Sequence, residues 1–107
     1  MTINIIHQGI ELTPAIHQYA EEKMRGLSKY LDSITHIDIE VGIPNNNQQK
    51  RKMYGCKAIV QIGGEVIKME KEAEDLYKAI DKVKDHLRVE LTKIKEKLQD
   101  RSTGKIS

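Results

Sequence analysis

Between Leu76 and Leu98 the sequence places an apolar residue at every third or fourth position: Leu76, Ile80, Val83, Leu87, Leu91, Ile94 and Leu98. At about 100° per residue these seven side chains fall in one narrow sector of an α-helix. The segment therefore reads as a helix of roughly 25 residues with a single apolar stripe. Asp75 stands where an N-cap is needed. Such a stripe has to lie against another apolar surface, and the rest of the chain must supply it.

The supply comes in period-2 segments. Ile3, Ile5 and His7 alternate with Asn4, Ile6 and Gln8 in a first strand that ends near Gly9. Ile37, Ile39, Val41 and Ile43 alternate with His36, Asp38, Glu40 and Gly42 in a strand with one buried and one wet face, stopped at Pro44. Cys56, Ala58, Val60 and Ile62 share one face of a third strand. Gly63-Gly64 can supply the positive φ angles of a two-residue turn into a fourth, from Glu65 to about Glu70. There the alternation leaves open whether Val66, Lys68 and Glu70 or Ile67 and Met69 face inward. Residues 45–52, all polar and ending in Lys50-Arg51-Lys52, read as a hairpin loop. Thr13-Pro14 opens another helix, continued at helical spacing by Ile16, Ala20, Met24, Leu27 and Leu31.

The order is thus β-α-β-β-β-α. The helix between the first two strands implies a parallel pair and a right-handed crossover; the other connections are hairpin-like. The predicted class is α+β: a two-layer sandwich in which a four-stranded sheet carries both helices on one face. Its other face is left to His36, Asp38, Glu40, Lys57 and Gln61. At 107 residues the chain suits one domain over residues 1–100, with a short tail at 101–107. The interior is aliphatic, because the chain has four Tyr and no Trp or Phe. No stretch approaches the roughly 20 apolar residues of a membrane span and no leader pattern opens the chain, so a cytoplasmic location is expected. Cys56, the sole cysteine, reads as a buried, inert thiol.

Charge is unevenly spread. Residues 1–75 carry nine Lys/Arg against eleven Asp/Glu, a balance of −2, whereas residues 76–107 carry nine against five, a balance of +4. On the long helix Lys84, Arg88 and Lys95 cluster near one edge of the stripe. Lys78, Lys82, Lys93 and Lys97 lie around the far side. These rows fit either a solvated face laced with i,i+4 pairs or an anion-binding surface, and the pattern alone leaves both open. Lys23 sits inside the apolar sector of the first helix, from which it can lift its ammonium into the groove between the helices. Arg25 and Lys29 point to the solvent side. His7, His17, His36 and His86 lack metal-ligand spacing, no nucleophile elbow is present, and no glycine-rich phosphate loop precedes a helix. No enzymatic activity, cofactor, metal or small-molecule substrate is expected.

The opening Ile3-Asn4-Ile5, the run Ile10-Glu11-Leu12-Thr13-Pro14-Ala15-Ile16, the Gly63-Gly64-Glu65 turn, Asp75-Leu76-Tyr77-Lys78-Ala79-Ile80-Asp81, and Leu91-Thr92-Lys93 with Lys95 together resemble the hibernation promoting factor and ribosome-associated inhibitor family. The likeness spans about residues 1 to 98. The resemblance implies a fold similar to a double-stranded-RNA-binding domain, docked on the small (30S) ribosomal subunit in the channel used by messenger and transfer RNA. Occupying it stores ribosomes in an inactive form, often as pairs. Lys23, Lys93 and Lys95 match cationic family positions, with Lys82, Lys84 and Arg88 as neighbours; Arg25 and His86 complete the expected 16S rRNA contacts.

Where the family often carries Arg or Lys this chain has His17, Gly26, His86 and Val89, and Glu90 replaces a frequent glutamine. Those departures imply a shifted contact set, or affinity that rises as His17 and His86 take up protons in acid. The free protein is expected to be a monomer without the C-terminal dimerisation domain of the family's long forms. Its short tail leans towards the promoting branch. The alternatives are a general double-stranded-RNA binder using the same basic helix, and a protein-interaction module that dimerises through an exposed sheet edge or through the far end of the second helix.

Overall fold

The computed structural model describes residues 1–43 and 53–104, with side chains to residue 98. The loop reading and the Lys50-Arg51-Lys52 cluster lie outside the described residues. The elements run β1 (Thr2–Gln8), α1 (Pro14–Arg25), a 3-10 turn (Gly26–Lys29), β2 (Ile34–Gly42), β3 (Tyr54–Ile62), β4 (Glu65–Ala73) and α2 (Leu76–Gly104). They form a four-stranded sheet in the order β1-β2-β3-β4. β1 and β2 are parallel and the other pairs antiparallel, as the connections demand.

Both helix starts follow from their caps. Thr13 Oγ1 accepts from the Ile16 amide at 3.2 Å ahead of Pro14, and Asp75 Oδ1 accepts from the Tyr77 amide at 2.7 Å. The first helix does not continue to Leu31 as its periodicity predicts. It gives way at Gly26, a weak helix former, to a tighter turn that still buries Leu27 and leaves Leu31 at the core's edge.

The core lies between the helices and one sheet face. Ile37, Ile39, Val41, Cys56, Ala58 and Val60 meet Ala20, Met24, Ala79, Ile80, Val83, Leu87 and Leu91. The ambiguity of β4 is resolved by this contact: Ile67 and Met69 pack against the core while Val66 is 55% exposed. Burial pushes the Cys56 thiol up to about 12, which keeps it protonated and unreactive at neutral pH.

Two glycines are required by geometry. At the end of β2, Gly42 has φ +148°, and a Cβ there would stand 1.9 Å from the Gln8 carbonyl oxygen of β1. Gly63 has φ +55°, and it alone of the Gly63-Gly64 pair adopts the left-handed conformation. The apolar stripe of α2 outruns its partner: Leu91 is fully buried, Ile94 partly, and Leu98 is 46% exposed. The helix itself continues to Gly104, into the segment expected to be tail.

Candidate nucleic-acid interface

The two helices run side by side in the same direction. Tyr19 meets Tyr77 edge-to-face with ring centroids 4.8 Å apart. Lys23 Nζ lies 3.9 Å from Asp81 Oδ1, and the space over Gly26 is occupied by the Lys84 ammonium, 3.9 Å from where a Cβ would sit. Each pair joins a residue to one 58 positions further on, which only parallel helices in fixed register allow. The groove between them is therefore a rigid feature with two unlike halves.

Its first half is self-satisfied. The Tyr19 hydroxyl donates to Asp81 Oδ1 at 2.6 Å. That hydrogen bond, with burial and the carboxylate's charge behind it, raises the Tyr19 phenol to about 12. Lys23 lies 5.1 Å above the Tyr19 ring and beside the same carboxylate, so it reaches the groove as expected and is partnered there. The second half is cationic. The end of the Lys29 side chain comes within 4.0 Å of the same point over Gly26 that Lys84 approaches, and Arg88 and Lys95 follow on α2 at one and three further turns. Among the described residues none of Lys29, Lys84, Arg88 and Lys95 forms an ion pair. Like charges gathered without carboxylates repel one another until an anion arrives.

Other expected contacts fall elsewhere. Arg25 is on the opposite flank of α1, where its guanidinium meets Glu21 at 2.9 Å. His17, 3.7 Å from Glu21, stands on that flank too. Lys82 ties α2 to the sheet edge by donating to the Glu72 carbonyl of β4 at 3.1 Å. His86 and Lys93 share the β4 side of α2, and Lys93 Nζ is 3.8 Å from Glu90. The structure thus brings Lys23, Lys84, Arg88 and Lys95 to the groove, places Lys82, His86 and Lys93 across α2 from it, and separates Arg25 from both sets.

A family model described as Sigma 54 modulation protein / S30EA ribosomal protein matches residues 3–99. The chain belongs to this family. The S30EA-family chain is similar to the ribosome hibernation promoting factor of Pseudomonas putida, with 34% identity over 105 residues that cover 97% of this chain and 96% of the other. It is 31% identical over 104 residues to that of Azotobacter vinelandii, covering 97% and 92%. A solved ribosomal subunit interface protein from Coxiella burnetii is 28% identical and superposes with a TM-score of 0.77, over 90% of this chain and 99% of that one.

Two features of this S30EA-family groove escaped the sequence. The Tyr19–Asp81 bond joins positions 62 apart, beyond the reach of any local pattern. Lys29 read as solvent-facing because the helix was extended through it. The 3-10 turn adds roughly 20° of rotation per residue, so over four residues it turns Lys29 towards the groove.

Proposed function

We propose that this chain is a hibernation factor that binds the small (30S) ribosomal subunit in the channel for messenger and transfer RNA and inhibits translation by filling it. Phosphate contacts to 16S rRNA supply affinity and position, and the bulk of the rigid sandwich excludes the normal ligands. The observation that carries this reading is the convergence along the second half of the groove of Lys29, Lys84, Arg88 and Lys95, which have no ion-pair partner among the described residues. Resemblance placed a family cation at position 26. Here a glycine leaves that space open and the Lys84 ammonium fills it. The relatives named for ribosome hibernation and for the subunit interface support a ribosomal partner. The reading places the protein in the cytoplasm as a free monomer and requires neither catalysis nor a cofactor.

The test is sedimentation of the protein with purified small subunits in the presence of excess duplex RNA. A small-subunit peak that survives the competitor is the expected result. Its loss would replace this reading with a general RNA-binding module on the same basic helix.

A further inference from the structure

At the far end of the cationic groove, where Lys29 and Lys95 stand, the chain forms an open cleft of about 420 Å³. That volume is within the range of about 300–1,000 Å³ typical of small-ligand sites. Its apolar lining is Leu98, which is 46% exposed although it continues the apolar stripe of α2, with the small part of Leu31 that burial leaves at the surface. Lys29 and Lys95 line it too, without ion-pair partners among the described residues. Ser28, whose hydroxyl donates to the Arg25 carbonyl, lines it as well, and Asp32 and Ser33, both exposed on the turn before β2, complete it. Neither side chain has a hydrogen-bond partner among the described residues.

An apolar surface in a cleft that two ammonium groups also line suits a flat ring that carries a phosphate. The carboxylate of Asp32 narrows the choice. It repels a second phosphate but accepts hydrogen bonds, so it favours a ring edge that presents donors. Among the RNA bases only guanine offers two adjacent donors, N1–H and the N2 amino group, which match the two oxygens of one carboxylate. Adenine and cytosine set an acceptor beside their amino group, and the uracil N3–H lies between two carbonyls. From these features we infer that the cleft holds an unstacked guanosine of single-stranded RNA. The base lies on Leu98 with its Watson–Crick edge at Asp32, the flanking phosphates meet Lys29 and Lys95, and the Ser33 hydroxyl is available to the sugar. Recognition of splayed-out bases is the usual route to sequence preference in RNA. A phosphate-reading groove thereby gains a position that reads a base. This inference rests on the RNA-binding reading and adds the identity of one nucleotide.

The experiment is fluorescence anisotropy with labelled RNA hexamers, UUUGUU, UUUIUU (inosine, which lacks the N2 amino group) and UUUUUU, on the wild type and Asp32→Ala. Wild-type protein is expected to prefer the guanosine hexamer over the uridine hexamer by about tenfold, the effect of one bidentate base contact. Inosine should lose most of that preference, and Asp32→Ala should reduce it below about twofold with an unchanged thermal midpoint, since Asp32 is exposed. Equal affinities for the guanosine and uridine hexamers, inosine binding as well as guanosine, or a preference that survives Asp32→Ala would each overturn the assignment. Displacement of the RNA by equimolar GMP would give the cleft to a free nucleotide and also overturn it. Sedimentation of the wild type with small subunits is scored in parallel. Co-sedimentation without guanosine preference removes the inference alone, whereas absence of co-sedimentation removes the reading beneath it.

Discussion

Asp81 is a single carboxylate serving two partners, the Tyr19 hydroxyl and the Lys23 ammonium. The ion pair is half-exposed and contributes about 0–1 kcal/mol to stability. It does hold Lys23 back from an incoming phosphate. Asp81→Asn keeps an acceptor for Tyr19 and releases Lys23, so RNA affinity should rise by about two- to fivefold, with the slope of log affinity against log salt steeper by about one unit. Salt-titrated binding measures both; weaker binding by Asp81→Asn would contradict the assignment. The Tyr19 phenol is raised from 10 to about 12, which fixes the sign of its linkage to pH. Its contribution to folding is fully present below pH 10 and lost as pH rises towards 12. Urea midpoints of wild type and Tyr19→Phe should therefore differ at pH 9 and converge near pH 11.5. At this scale the sequence was partly legible. The position of Lys23 inside an apolar sector indicated the groove, whereas nothing local to Tyr19 or Asp81 indicated the other.

For whole elements, periodicity identified what exists and the tertiary environment decided how far it extends. The stripe of α2 is regular through Leu98, yet burial falls from Leu91, fully covered, through Ile94, partly covered, to Leu98, 46% exposed, so equal spacing conceals unequal burial. Leu87→Ala should cost about 2–5 kcal/mol because it leaves a cavity under a fully buried site. Leu98→Ala should cost less than about 1 kcal/mol. Denaturant unfolding of the two variants separates them, and equal losses would mean that the helix end is packed. The end of α1 was misjudged because Leu27 and Leu31 sustain the helical spacing across the 3-10 turn. β4 could not be oriented from alternation alone, since apolar residues occur on both of its faces; docking against α2 selects Ile67 and Met69. Gly42 read merely as the last wet-face position of a strand, while its fixed need for glycine comes from the Gln8 carbonyl of a neighbouring strand.

Across the whole molecule the fold sorts charge more sharply than the sequence does. The positive balance of residues 76–107 is visible in the chain, but two of the cations it counts are engaged internally, Lys82 by a carbonyl of β4 and Lys93 by Glu90. Those left without an ion pair along the groove, among the described residues, come from α2 and from the 3-10 turn after α1, whose Lys29 the C-terminal asymmetry does not count. The architecture and the family were legible in residues spread over nearly the whole chain, whereas the division of the cations into engaged and free sets depends on which side chains meet across α1, α2 and β4. The central claim is that the free set meets rRNA phosphates. Its most direct test is binding to purified small subunits across a salt series, for the wild type and for the triple variant Lys84→Glu, Arg88→Glu and Lys95→Glu. If each of the four groove cations neutralises about one phosphate, the wild type should show a log–log slope of roughly −3 to −4, and the variant should lose most of the affinity with a slope shallower by about three units. Absence of wild-type binding at about 50 mM salt, or a variant that binds with the same slope, would contradict the account.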